Sequence, residues 1–364
     1  ELSGEEHQTA ALVAGELRKL GWRVREGVGR TGVVAELGPN HGPTVGLRVD
    51  MDALPVEERT GLSYASTRQG LMHACGHDLH TCTGLGVARL LAQEPALAAR
   101  VRLLFQPAEE LAQGAVWMRD AGAVEGLDAL YGVHVVPNLP VGTVGIRRGC
   151  LTAAAGELEI FVQGQGGHGA RPHQSVDAVW LAARVITELQ QTIARRLDAL
   201  QPVVISFGKV EGGRAFNVIA DQVRLLGTVR CLDLQQHAQL PAWIDETVQG
   251  ICASGGGTAV VNYRCIAPPV HNDPQLTTLL ERCAVECLGR DKVLPVEQPS
   301  LGAEDFAELL RDVPGMMVRL GVAGPEGCAP LHNGAFALEE DALGVGIAVL
   351  TATVLAWITE NTSA

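Results

Sequence analysis

The run Met72-His73-Ala74-Cys75-Gly76-His77-Asp78-Leu79-His80 places three histidines, a cysteine and an aspartate within eight residues. Imidazole, thiolate and carboxylate are the side chains that bind transition metals, and a tight loop containing glycine can turn several of them toward one ion. Cys75 and His77 stand two residues apart, so an extended turn presents both together. His80 lies one helical turn beyond His77 and reads as a ligand or, preferably, as a support for one. Gln106-Pro107-Ala108-Glu109-Glu110 adds two adjacent carboxylates after an apolar strand. Their bland reading is a helix N-terminus that favours negative charge. Beside metal ligands the pair has a natural division of labour: one carboxylate binds an ion, and the other takes a proton from water. His134 at the end of a second apolar strand, and His332 in Leu331-His332-Asn333, complete the candidates. Taken alone, His134 reads equally as a structural histidine, and His332 is the weaker candidate.

These groups are far apart in sequence, so a fold must gather them. Amphipathic spacing predicts a helix over about 5–20. Apolar runs predict strands over Val33–Leu37, Thr44–Val49, Val101–Phe105 and Ala129–Val135. Helices are predicted over Asp78–Ala92 and Glu110–Asp120. This alternation points to an α/β sheet covered on both faces, in which ligands collect at the carboxyl ends of the strands. From about residue 150 the pattern changes. Strands over Glu157–Gln163, Val203–Val210, Gln222–Cys231 and Thr258–Cys265, with helices over about 175–196 and 236–253, give the βαββαβ order of a ferredoxin-like unit. The α/β pattern then resumes, with helices over about 274–288, 304–311 and 339–359 and a strand over Met316–Leu320. The expected organisation is a catalytic domain, 1–152 and 267–364, interrupted by an inserted lid or dimerisation domain, 153–266. Hinges are expected near 150–156 and 265–269, where Gly149 and Pro268-Pro269 sit.

Composition sets the outer bounds. The chain has 364 residues, 47% of them hydrophobic, which is enough for a sizeable core. Its formal charge of −13, with no basic block, disfavours nucleic acid as a partner. The same surplus suggests that some carboxylates hold cations. No uninterrupted apolar run reaches the roughly 18 residues of a membrane span, so no membrane association is expected. Nine scattered cysteines without a CxxC motif read as reduced, cytoplasmic cysteine.

Taken in order, Asp50-Met51-Asp52-Ala53-Leu54-Pro55, Met72–His80, Gln106–Glu110, Gly132-Val133-His134, Gly166–His173 and Leu331-His332-Asn333 resemble the M20 metallopeptidase/amidohydrolase family. The similarity is greatest to its branch of N-acyl-amino-acid, hippurate and auxin-conjugate hydrolases. The resemblance implies a three-layer α/β/α metallohydrolase domain with an inserted α+β lid, and two divalent ions, Mn²⁺ or Zn²⁺, with Co²⁺ or Ni²⁺ also compatible. It implies Cys75, His77, Glu110, His134 and His332 as ligands, with Cys75 able to bridge the ions, and Glu109 as general base. Asp50 and His80 are implied as supports behind the ligands. In the lid it implies His168 as an oxyanion residue, often acting on a partner subunit, and Asn217 near that site. Arg230 suits a substrate carboxylate, though an ordinary strand arginine is an equal reading. Arg48 stands where other branches carry a metal-binding histidine, so the correspondence is looser there. Asn333-Gly334 follows His332 where proline is common. The resemblance also implies a helical stretch ahead of Glu1.

The implied activity is metal-dependent hydrolysis of N-acyl amino acids in the cytoplasm, by a homodimer or larger homo-oligomer joined through the lid. The rival readings are an M20-type dipeptidase or aminopeptidase and a non-catalytic metal-binding scaffold.

Overall fold

A computed structural model describes residues 1–198 and 200–362. It divides into two compact units. The larger comprises Glu1–Leu151, Val270–Pro299 and Glu304–Ala364. The smaller comprises Thr152–Pro269 and Ser300–Ala303.

The larger unit is built on an eight-stranded sheet. Its order is Arg23–Val28, Gly32–Leu37, Arg100–Gln106, Thr44–Asp50, Ala129–Pro140, Gly315–Ala323, Val144–Ile146, Val293–Pro295. The four central strands, from Arg100–Gln106 to Gly315–Ala323, run parallel. Successive residues point to opposite faces, and here both faces are buried. Leu103 and Phe105 enter one apolar cluster, with helices His7–Lys19, His77–Leu91, Pro274–Leu288 and Ala342–Thr362. Leu104 enters the other, with the short helices Gly114–Asp120 and Phe306–Leu309. This is the expected three-layer α/β/α architecture, and the double burial explains why its strands read as unbroken apolar runs.

The smaller unit is a four-stranded antiparallel sheet ordered Val203–Gly212, Gln222–Cys231, Ala154–Gln163, Thr258–Ala267. That is the second–third–first–fourth order of a ferredoxin-like βαββαβ unit. Helices Ala178–Arg196 and Leu234–Ser254 share its apolar cluster with one face of the sheet. Asp177 and Asp233 cap their N-termini through side-chain oxygens.

Two expectations need correction, and one helix bears on a third. Glu110–Asp120 is not one helix: residues 107–113 form a turn, and the helix starts at Gly114. A Cβ on Gly114 would lie 1.6 Å from Pro107 O, so the chain folds back on itself there. Ser300–Ala303 joins the smaller unit, because Ala153 N donates to Ser300 O and Arg230 Nε to Leu301 O. Finally, Ala342–Thr362 is long and apolar enough to cross a membrane, although glycine and threonine interrupt its apolar run. Val349, Leu350, Val354 and Trp357 are buried in the main core, and the helix packs on Pro274–Leu288 and His77–Leu91, as a core helix does.

Candidate metal centre

Strand register brings the candidates in the larger unit together. Asp50 ends the strand Thr44–Asp50 and pairs with Gln106, whose next residues are the turn carrying Glu109 and Glu110. Arg48 pairs with Gly132, so Asp50 lies level with His134 on the neighbouring parallel strand. Gly76 adopts φ 78° at the start of helix His77–Leu91. A Cβ there would stand 2.5 Å from Val135 Cγ2, so glycine allows the Cys75–His77 turn to lie against the strand that bears His134.

Within this space the donor atoms of Cys75, His77 and His134 lie within 4.8 Å of one another, and so do those of Cys75, Glu110 and His332. The two triads share Cys75. Cys75 Sγ is 3.5 Å from His134 Nε2, and His332 Nε2 is 3.3 Å from Glu110 Oε1. Ligands held by one tetrahedral ion at roughly 2.0–2.3 Å stand roughly 3.3–3.8 Å apart, so both separations suit a shared ion. The donors are also left over by the protein. His77 Nε2 and Glu110 Oε1 are buried and make no hydrogen bond. Buried polar atoms are rarely orphaned unless something else satisfies them. Thiolate, imidazole and carboxylate together fit Zn²⁺ and accept Mn²⁺, Co²⁺ or Ni²⁺.

A layer of hydrogen bonds aims these groups. His77 Nδ1 is 2.9 Å from Asp52 O and 3.1 Å from Asp52 Oδ1, which turns Nε2 toward the other donors. Asp52 Oδ2 accepts from Glu110 N at 3.0 Å and from Ser3 Oγ at 2.7 Å. One carboxylate thus orients two candidate ligands. His134 Nδ1 lies 2.7 Å from Val135 O, which leaves Nε2 facing Cys75. His80 has both nitrogens engaged: Nδ1 with Asp50 Oδ1 at 2.6 Å, and Nε2 accepting from Val135 N at 2.9 Å. Glu6, fully buried, accepts from Ala108 N at 2.9 Å and from Thr31 Oγ1, and so fixes the turn before Glu109. Asp52 and Glu6 escaped the sequence reading as individual residues. The signal for Asp52 was its alternation with Asp50 at a strand end, whereas Glu6 offered none.

The charges are strongly perturbed. Burial, with Glu304 and Asp305 nearby, pushes the Glu109 carboxyl well above the usual range, against His77 and Arg48, which lower it. A base that holds a proton more firmly than an ordinary carboxylate suits proton transfer near neutrality. Burial pushes the Cys75 thiol up to about 11. His77 is held well above its ordinary value: burial opposes its charge, but Asp50 and Asp52 outweigh it. At neutral pH both groups therefore carry protons in the metal-free chain. A thiolate and a neutral imidazole are the ligating forms, so ion uptake is expected to release protons and apparent affinity to rise with pH. Calorimetry of Zn²⁺ binding in buffers of different ionisation heat measures this directly. Heats that do not depend on the buffer would remove Cys75 and His77 from the ligand set.

The remaining candidates lie in the smaller unit. His168 sits in a two-residue strand paired with Val218–Ile219, and Gly169 N donates to Asn217 O at 2.9 Å, so His168 and Asn217 are neighbours. Arg230 Nε donates to Leu301 O at 3.0 Å, and its Nη1 to Thr228 Oγ1 and Val229 O.

Comparison with known proteins places the chain among hydrolases. Residues 46–356 match the sequence family described as Peptidase family M20/M25/M40. A protein of Synechocystis sp. named a probable hydrolase is 52% identical over 98% of this chain and 92% of its own. The N-acetyl-L-cysteine deacetylase of Bacillus subtilis is 38% identical over 94% of this chain and 82% of its own. Among solved structures, a Bacillus subtilis protein described as a dinuclear metal binding peptidase from the M20 family superposes with a TM-score of 0.85 at 34% identity. It covers 98% of this chain and 94% of its own.

Proposed function

The chain belongs to peptidase family M20/M25/M40, and from that premise we propose that it hydrolyses the amide bond of N-acyl amino acids at a centre of two divalent ions. It is a metal-dependent amidohydrolase. The observation that carries the two-ion reading is the pair of ligand triads sharing Cys75 with Glu109 beside them. When bound, such ions supply Lewis-acid chemistry, polarising the amide carbonyl and acidifying water.

The residues of the chain do the rest. Glu109 accepts a proton from the attacking water as the new C–O bond forms, and returns it to the amide nitrogen as the C–N bond breaks. The products are a carboxylic acid and a free amino acid. Asp52 holds His77 and Glu110 in register for this, while Asp50 and His80 brace the layer behind them. His168 is proposed to stabilise the oxyanion, with Asn217 near it as a substrate-binding residue. Arg230 is proposed to pair with the substrate carboxylate. The His168 and Asn217 roles and assembly as a homo-oligomer through the smaller unit rest on the motif resemblance, the Arg230 role on the fit of a planar guanidinium to a carboxylate, and a cytoplasmic location on nine scattered cysteines without a CxxC motif. The Cys75 form of the loop motif and the similarity to an N-acetyl-L-cysteine deacetylase support N-acyl substrates. The similarity to a protein described as a peptidase keeps dipeptides as the competing class.

A substrate panel separates the two. N-acetyl- and N-benzoyl-amino acids are expected to show higher kcat/KM than matched dipeptides, with metal content measured on the same samples. Faster turnover of the dipeptides would transfer the assignment to a peptidase. In the same panel His168→Ala is expected to lower kcat without loss of metal. Metal loss instead would make His168 a ligand.

A further inference from the structure

Besides a recombination of triad members with Glu109 (His77, Glu109 and Glu110), two other groups of side chains near the triads have the make-up of metal sites. The donor atoms of Asp50, His77 and His80 lie within 4.8 Å of one another, as do those of Glu109, Glu304 and Asp305. The first group competes with a Cys75 triad for His77, because Asp50 Oδ2 stands only 3.8 Å from His77 Nε2. Neither group is open, and the same side chain closes both. Arg48 is fully buried. Its Nη1 donates to Asp50 Oδ2 at 2.8 Å. Its Nη2 lies 3.1 Å from Glu304 Oε1 and 3.2 Å from Asp305 Oδ1, and its Nε donates to Gln106 Oε1 at 2.8 Å. Gln106 Nε2 in turn donates to Asp305 Oδ1 at 2.7 Å.

We propose that Arg48 is a built-in cation that decides which acids the metal ions can use. By holding Asp50, Glu304 and Asp305, it confines the ions to the two triads that share Cys75. The inference rests on the metal-centre reading given above. Its physical basis is that buried carboxylates need a cation, and whichever cation arrives with the right geometry satisfies them. A guanidinium stays charged at every accessible pH and offers donors in fixed, divergent directions, so one side chain serves acids on opposite sides. Asp50 and Arg48 lie two apart on one strand and therefore face the same side, and the acid is claimed before an ion at His77 can draw it in. Arg48 acts through Asp50, Glu304 and Asp305 and touches no reacting atom, so it is a positioning residue. Without its charge, these buried acids have a divalent ion as their available partner.

The test is titration of Co²⁺ into metal-free protein, with stoichiometry followed by calorimetry and coordination by visible absorption. Wild type is expected to bind two ions per chain with one characteristic spectrum. Arg48→Met is expected to bind at least one further ion per chain, with a changed spectrum. A folded Arg48→Met with unchanged stoichiometry and spectrum overturns the proposal. Should Arg48→Met fail to fold, Arg48→Gln, which keeps hydrogen-bond donors but removes the charge, decides. A further ion or an altered spectrum there supports the proposal, and an unchanged titration overturns it. A wild-type chain that binds no ion overturns the metal-centre reading and this inference with it. Normal wild-type uptake with an unchanged titration in the Arg48 variants overturns this inference alone.

Discussion

Glu109→Gln is expected to lower hydrolysis of an N-acyl amino acid by about 10³-fold while leaving the bound metal in place. General-base catalysis contributes roughly 10²–10⁴-fold, and the amide keeps the size of the carboxylate while losing its ability to take a proton. The substitution should be well tolerated by the fold. Glu109 is buried beside Glu304 and Asp305, and removing one of three neighbouring acids relieves repulsion rather than stranding a partner. Its turn is held by Glu6 through Ala108 N, and that bond does not involve the Glu109 side chain. The pattern to look for is a fall in kcat with little change in KM or in metal content. A scaffold that merely binds metal would show no activity to lose, and a Glu109→Gln variant with wild-type kcat would remove Glu109 from the proton path.

What could be read from the sequence, and what could not, follows from how far each interaction reaches along the chain. The candidate metal-binding loop stood out because Cys75, Gly76 and His77 are adjacent, and the strand-end positions of Glu109, Glu110 and His134 followed from the apolar runs before them. Central strands buried on both faces announce themselves as such runs, and Pro274–Leu288 and Gln222–Cys231 fall where patterning put them. The strand Arg23–Val28 did not, because all but its last residue are exposed or half-exposed and it has no apolar alternation. Val144–Ile146 and Val293–Pro295 are too short to show any period. Glu110–Asp120 looked helical because nothing local marks a turn that is closed by contact with Pro107. Above all, the layer behind the ligands was hidden. Arg48 meets Asp305 across 257 positions, and Asp52 meets Glu110 across 58. Such pairings depend on which strands lie side by side, and only the assembled sheet shows that.

The largest effect on metal content is expected at Cys75, because it is the only residue that the two ligand triads have in common. Cys75→Ala should lose both ions and all activity, whereas His134→Ala and His332→Ala should each lose one. Elemental analysis after gel filtration gives the counts. The fold should survive in each case. Cys75 is a small buried side chain, and trimming it to alanine removes one sulfur, a change worth about 1 kcal/mol by the usual accounting for deleted core groups. Thermal unfolding of the metal-free variants should therefore follow the metal-free wild type within a few degrees, while the stabilisation that wild type gains on adding Zn²⁺ should vanish in Cys75→Ala. Cys75→Asp sharpens the argument. A carboxylate can offer one oxygen to each of two ions, so this variant should recover metal that Cys75→Ala has lost, with weaker preference for Zn²⁺ over Mn²⁺ as a soft donor gives way to a hard one. If Cys75→Ala instead keeps one ion tightly, the thiolate belongs to a single triad, and the shared-ligand geometry on which the two-ion centre is built must be abandoned.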